Sequence, residues 1–366
     1  MTSKKNSPMA FEESFHIVGT ILTMYEADPI QRLADVDYSR AETFGERACS
    51  LSRLISKGYN VPKGVVITTK IFKRFLNNMP GGKRIDHLIA NATPDNSAET
   101  AREIQEIIIS SPMPMQMANP IAEEIYKLQD VIKSDSVVIR TSAHVEDSSK
   151  HICSGRGVYF HLKEMHDIIR VIKNCWASAF TADVLYDLMR AGLPPDNVRI
   201  AIIVEEMVSA KVSGVITVKN DIKDLHIKAN WGSHVYAEKN GICCDHFIVN
   251  EQKIGEPLET FTSYKDKISH IPPDTRHAVV IDNVPEKKKV PSLNQQDITT
   301  LIQLAKKIRR DFEVDYDIEF VFDEEGTLWL LDAVPRTAHR NIHRIGTSVV
   351  QLHETINNDD LPSGSK

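Results

Sequence analysis

This sequence has no long apolar run, no basic surplus, no paired cysteine motif and neither of the common glycine-rich phosphate loops. Without a stretch near the ~20 apolar residues that a bilayer demands, a membrane span is not expected. The net charge of -6 sets up no cationic field for a polyanion, so nucleic acid is excluded as a first expectation. The polar opening Met1-Thr2-Ser3-Lys4-Lys5-Asn6-Ser7-Pro8 leads into no apolar segment, so no secretory signal is read and a cytoplasmic protein is expected. Cys49, Cys153, Cys175, Cys243 and Cys244 are odd in number and form no C-x-x-C pair, so nothing suggests zinc or dithiol redox chemistry and free buried thiols are expected. Gly81-Gly82-Lys83-Arg84 lacks the first glycine and the Ser/Thr of a Walker A loop, and no G-x-G-x-x-G follows a strand.

What is present is an ordinary globular composition, 42% hydrophobic and 26% charged over 366 residues, with room for two or three packed units. Residues 1–40 form a leader without a motif. A helix is expected from Gly45 to Leu54, a short buried strand at Val65-Val66-Ile67, then helices near 69–77, 99–110 and 119–133. Val137-Val138-Ile139-Arg140 reads as a strand that breaks at Thr141-Ser142-Ala143. Strands are expected again at 158–160, 199–205, 212–218, 224–230 and 243–249, with helices near 164–176 and 181–191. Residues 250–291 are polar and lysine-rich and read as an irregular connection. Ser292-Leu293-Asn294-Gln295 has the form of a capping box before a helix carrying Ile298, Leu301, Ile302, Ala305 and Ile308. The irregular alternation of strands and helices favours an α+β fold over a doubly wound sheet.

The last two strands carry the densest chemistry. Asp317 and Glu319 stand two apart, so both leave one face of a strand. If Asp323 to Gly326 is a four-residue turn, Phe322 pairs with Thr327, Asp317 lies opposite Asp332 and Glu319 lies one diagonal away. Ile318, Phe320, Phe322, Trp329 and Leu331 then form the apolar face. Crowded carboxylates repel, and a hard cation such as Mg²⁺ keeps them ionised. A solvated polar face on an edge strand has the same pattern.

Other candidates are weaker alone. Arg140, read as a strand-end guanidinium beside hydroxyls and unpaired amides, suits phosphate oxygens, as an ordinary ion pair would suit it too. Ser154-Gly155-Arg156-Gly157 would let the backbone approach a phosphate, or simply turn the chain. The buried strand Ala201 to Val204 runs into Glu205-Glu206-Met207-Val208, a strand end that fits an adenine slot and equally a strand leaving its sheet. His339 and His343 share a helical spacing but have no third zinc ligand nearby.

Taken in order, these segments resemble the N-terminal nucleotide-binding region of the phosphoenolpyruvate synthase / pyruvate phosphate dikinase family. Gly45-Glu46-Arg47-Ala48-Cys49-Ser50-Leu51 is similar to its G-G-K-A-x-N-L opening. Val61-Pro62-Lys63-Gly64-Val65-Val66-Ile67-Thr68-Thr69 is similar to V-P-x-G-F-V-I-T-T. Val138-Ile139-Arg140-Thr141-Ser142-Ala143 with Glu146-Asp147 resembles V-R-S-S-A-x-x-E-D. Cys175-Trp176-Ala177-Ser178, Val212-Ser213-Gly214-Val215, Trp231-Gly232 and Asp317-Ile318-Glu319 follow in the same order. The resemblance runs from about 45 to 337.

It implies an ATP-grasp fold binding ATP and Mg²⁺ between an N-terminal lobe at 41–195 and a C-terminal lobe at 196–337, with a tail at 338–366. Arg47, Arg140, Ser154 and Gly155 would contact phosphate. Glu205, Glu206, Met207 and Val208 would form the adenine hinge, and Asp317, Glu319 and Asp332 the metal site. Three departures stand out. Arg47 replaces a lysine, Asp332-Ala333-Val334-Pro335 replaces Q-A-R-P, and the Tyr-Arg after Cys-Trp-Ala-Ser is absent, with Arg190 nearest. Arg336 is the nearest substitute for the Q-A-R-P arginine, so Arg47, Arg140 and Arg336 are the catalytic expectation. The family's acceptor histidine motif is not found, and Thr337-Ala338-His339 lacks the glycine-rich approach. The resemblance therefore implies a partner subunit carrying a phosphohistidine domain, a small-molecule final acceptor, and an ATP-dependent phosphotransferase. A direct small-molecule kinase and a non-catalytic nucleotide sensor are the alternatives.

Overall fold

Two antiparallel sheets share one apolar core with a helix set between them. The computed structural model describes residues 29–336 except 135, 146–157, 191, 193–197, 221, 234–241, 251, 253–258 and 273–274. The first sheet has the order β1-β2-β5-β3-β4, with β1 (Ile30–Arg32), β2 (Gly64–Ile67), β3 (Val137–Val145), β4 (Val158–Leu162) and β5 (Val198–Glu206). The second has the order β13-β12-β6-β7-β8-β9, built from β6 (Val212–Val218), β7 (Asp224–Trp231), β8 (Asp245–Asn250), β9 (Glu259–Phe261), β12 (Asp315–Phe322) and β13 (Leu328–Arg336). The α+β class expected from the sequence is what the chain adopts.

Alternation along the strands of the first sheet divides its two faces. Val65, Ile67, Val137, Ile139, Ile200, Ile202 and Val204 pack against a helical layer. That layer comprises α2 (Thr69–Asn78), α3 (Gly82–Ala90), α4 (Ser97–Ser110), α5 (Met115–Ile132), α6 (Met165–Ala177) and α7 (Ala182–Arg190). At its centre the fully buried Trp176 meets Phe75 and Phe72 with ring centroids 5.1 and 5.7 Å apart. Trp176 of the Cys-Trp-Ala-Ser segment is thus a core residue. The opposite face carries Val66, Ala201 and Ile203, which join α1 (Ala41–Ser56), one face of the second sheet and α8 (Gln295–Asp311) in a second core.

Several sequence expectations are corrected here. β3 does not break after Arg140. It continues through Val145 in register with β5, so the amides after Arg140 sit in a sheet ladder and Arg140 lies mid-strand. β5, assigned by sequence to the second lobe, is the central strand of the first sheet. An unforeseen helix, α3, follows Gly81. The helix at 295 is capped by Asn294 with Asp297, at 2.9 Å each way, rather than from Ser292. Cys243 and Cys244 precede β8 instead of lying in it.

The 250–291 segment is not irregular throughout. Besides β9 it holds a ribbon of β10 (Lys267–His270) and β11 (Val279–Asp282). The ribbon is tied to the second sheet through the Gly232–Ser269 bridge and to the first through the Phe160 N–H, which donates to the Arg276 carbonyl at 2.9 Å. Before it, the fully buried Lys265 ammonium lies 2.6 Å from the fully buried Asp245 carboxylate. Compositional polarity concealed this element because its lysines include one that is paired inside the protein.

Candidate functional site

Each sheet turns a polar strip toward the other. On β3, Arg140 and Ser142 leave the face opposite the helical layer, and Glu205 of β5 lies beside them. On β12, the even residues Ile318, Phe320 and Phe322 enter the core, which leaves Asp317 and Glu319 on the other face. α1 bridges the two strips and contributes Arg47.

α1 is broken where it matters. Gly45 has φ +76° inside the helix, and a Cβ there would lie 2.1 Å from the Ser142 carbonyl oxygen. Only glycine combines that backbone conformation with so close an approach. Ser142 Oγ stitches across the break, accepting the Ala48 N–H at 3.0 Å and donating to the Phe44 carbonyl at 2.9 Å. The helix therefore restarts against β3 with Arg47 in its first turn.

The Arg47 guanidinium reaches the second sheet. Nε and Nη2 donate to Asp332 Oδ2 at 2.9 and 2.8 Å, and Nη1 donates to the Thr141 carbonyl at 3.1 Å. Burial works against its charge, but Asp332, then Glu319, outweigh burial and raise its pKa. Arg140 makes the second bridge. Its Nε lies 2.8 Å from Glu205 Oε1, and its Nη1 donates to the Leu331 carbonyl at 2.8 Å. Burial pushes the Glu205 carboxyl up, while Arg140 and then Arg47 pull it down.

The hairpin register differs from the sequence expectation. Phe322 pairs with Leu328, not Thr327, and Glu319, not Asp317, lies opposite Asp332. Asp317 pairs with Val334. Two one-residue shifts add up: five residues, 323–327, separate Phe322 from Leu328, and a bulge follows in which Glu319 faces Asp332 while Phe320 faces Leu330, leaving Leu331 as the extra residue. Leu331 is thereby released from the ladder and its carbonyl receives Arg140. Trp329 and Leu331 consequently leave the core, and Leu330 with Leu328 takes the apolar face. The Leu330 N–H is satisfied by the Asn60 carbonyl at 2.9 Å, just before the Val-Pro-Lys-Gly segment.

Asp317 accepts from Thr217 Oγ1 at 2.6 Å and has the Arg336 Nε 3.4 Å away, so Arg336 does reach the carboxylate strip. Among the described residues, no group of three or more His, Cys, Asp or Glu side chains is placed to hold a metal by itself. Asp317, Glu319 and Asp332 share a face without converging on one point. Glu206 lends its N–H to the Lys63 carbonyl at 2.8 Å, and Met207 and Val208 are half-buried in the passage between the sheets. Glu205 is fully inside, held to Arg140. Ser154, Gly155, Arg156, Gly157, Glu146, Asp147, His339 and His343 lie outside the described residues, as do residues 1–28 of the leader and the tail from 338. Sequence reasoning missed Ser142, Thr217 and the Leu331 carbonyl, whose roles depend on a helix break, on the pairing of β6 with β12 and on a bulge, none of which a local pattern announces. Among the described residues, no helix is long and apolar enough to cross a membrane.

The family described as pyruvate phosphate dikinase, AMP/ATP-binding domain, matches residues 41–349. A phosphoenolpyruvate synthase of Aeropyrum pernix is 26% identical over 332 residues, covering 80% of this chain and 40% of that protein. The prodigiosin synthesizing transferase PigC of Serratia marcescens is 26% identical over 299 residues, covering 80% of this chain and 31% of its own length. Both relatives are therefore far longer than the part matched. Among solved structures, the ATP-grasp ligase PsnB overlaps 81% of this chain and 53% of that one at a TM-score of 0.27 and 10% identity.

Proposed function

The chain belongs to the family of the pyruvate phosphate dikinase AMP/ATP-binding domain, and from that premise we propose that it is the ATP-binding part of a phosphotransferase. ATP would lie between the two polar strips, in the cleft of an ATP-grasp fold. The observation that carries the reading is that Arg47 and Arg140, from two separate elements, meet the carboxylate hairpin at one place. Oppositely charged groups gathered from α1, β3 and β13 suit a ligand that is itself a polyanion with a cation.

The donor set fits magnesium. Asp317 and Glu319 offer hard oxygen ligands on one face, and Mg²⁺ is characteristically held by one or two carboxylates plus substrate phosphates. Asp332 stands directly opposite Glu319. A bound Mg²⁺ would supply charge neutralisation on the phosphate oxygens. Arg140 and Arg47 would orient those oxygens and stabilise charge that builds on them during transfer, with Arg336 at the edge of the strip. Met207 and Val208, with Glu205 and Glu206 before them, would border the adenine, and Ser154-Gly155 the phosphates.

The acceptor in this reading is a histidine on a partner subunit, which would pass the phosphoryl group to a small molecule. A histidine nitrogen bonds to the β-phosphorus as the bond to the α,β-bridging oxygen breaks and AMP leaves. Hydrolysis then releases the γ-phosphate. Summed, ATP, water and histidine give phosphohistidine, AMP and phosphate. The match to the pyruvate phosphate dikinase AMP/ATP-binding domain supports the nucleotide-binding half of this reading.

Nucleotides separated by chromatography test the proposal. The chain alone should leave ATP intact, and addition of the histidine-bearing partner should yield AMP. ADP as sole product would indicate a direct small-molecule kinase, and binding without turnover under either condition would indicate a nucleotide sensor.

A further inference from the structure

Asp332 has the residue type of a metal ligand, but its contacts describe another task. Its Oδ2 takes two hydrogen bonds from one edge of the Arg47 guanidinium, at 2.9 and 2.8 Å, and its Oδ1 accepts the Ala333 N–H at 2.9 Å. Both oxygens are thus engaged by the protein, in a residue only 3% exposed. The Thr141 carbonyl takes a third Arg47 donor at 3.1 Å.

These contacts fix the plane of the guanidinium. A guanidinium carries five N–H donors in a rigid fork, and the Asp332 and Thr141 contacts use three of them. The backbone beneath is fixed independently, because Ser142 grips Ala48 and Phe44 on either side of the Gly45 break. Helix, side-chain plane and remaining donors are therefore set before any ligand arrives. A long, flexible side chain would otherwise lose rotamer freedom on binding.

We infer that Asp332 is a positioning residue, which presents the two remaining Arg47 donors to a phosphate group instead of coordinating the metal. The inference rests on the nucleotide reading of this cleft. It separates two roles that share a residue type: a ligand acts on the metal, whereas a positioning carboxylate acts only through Arg47.

A double-mutant cycle distinguishes them. Calorimetric titration of the whole chain with ATP, at saturating Mg²⁺ and across a Mg²⁺ series, is run for wild type, Asp332→Asn, Arg47→Met and the double variant. Asn keeps the volume and one oxygen for the Ala333 N–H. Thermal unfolding of each variant without ligand identifies any that fail to fold, and Arg47→Lys then replaces Arg47→Met in the cycle. The expected result is about a tenfold loss of ATP affinity in Asp332→Asn, the scale of a charge-assisted hydrogen-bonded pair. The Mg²⁺ midpoint should not move, and the Asp332→Asn effect should vanish once Arg47 is gone. A shifted Mg²⁺ midpoint, or an equal loss with and without Arg47, overturns the positioning role. Wild type that binds no ATP at any Mg²⁺ concentration would instead remove the nucleotide reading, and the inference with it.

Discussion

Gly45 and Ser142 approach so closely that a methyl group on the glycine would lie 2.1 Å from the serine carbonyl oxygen. Ninety-seven positions apart in sequence, they dock the broken helix onto β3 and decide where Arg47 begins its reach. Gly45→Ala should therefore destabilise the fold by more than about 2 kcal/mol, combining a left-handed backbone with overlap that a packed interior cannot absorb. Ser142→Ala loses two hydrogen bonds and should cost less, roughly 1–3 kcal/mol. Urea unfolding of the two variants gives both magnitudes and their order.

The Arg140–Glu205 pair is enclosed, with side chains 6% and 3% exposed. Glu205→Gln leaves a buried guanidinium without its counter-charge, which should cost about 3 kcal/mol or more. The Arg84–Glu103 pair is just as short at 2.8 Å but lies on the surface, so Glu103→Gln should change stability far less. Unfolding curves for both variants under one condition make the comparison.

Cys49 follows Arg47 by two residues on the packed side of α1. Burial, followed by Glu42, Asp37 and Glu46, pushes its thiol from 9.0 up to about 12. At about pH 8 the folded protein keeps this thiol neutral and unreactive, since only the thiolate attacks. Dithionitrobenzoate should modify the exposed Cys243 in the native protein, and Cys49 and the buried Cys175 only after denaturation. The sign for stability follows from the raised value. The unfolded chain releases the Cys49 proton first, so the stabilisation is full below 9.0 and is lost as pH climbs through about 12.

The sequence made the fold's parts readable where one period dominated. The alternation in β12 and the helical spacing of Ile298, Leu301, Ile302, Ala305 and Ile308 reflect single buried faces, and both emerged as expected. Pairing was less legible. A turn of five residues instead of four and one extra residue at Leu331 together moved Asp332 from Asp317 to Glu319, because each shifts every partner beyond it by one. Arg140 was readable as a phosphate-type or ion-pairing residue, and the ion pair to Glu205 is present. The strand's continuation to Val145 was concealed by Thr-Ser-Ala, small residues that suit a loop until a neighbouring strand such as β5 pairs with them. Glycines in the motifs had physical causes that only packing discloses: at Gly214 a Cβ would lie 2.1 Å from the Lys228 carbonyl oxygen on the next strand.

In the proposed reading, Asp317 and Glu319 serve a metal–triphosphate ligand held between the sheets. Isothermal titration of ATP into wild type and Glu319→Ala, with and without Mg²⁺, tests it most directly. Binding should require Mg²⁺ and fall at least about tenfold in Glu319→Ala, a loss of about 1.4 kcal/mol or more. Equal affinity in the two proteins, or binding indifferent to Mg²⁺, would contradict it.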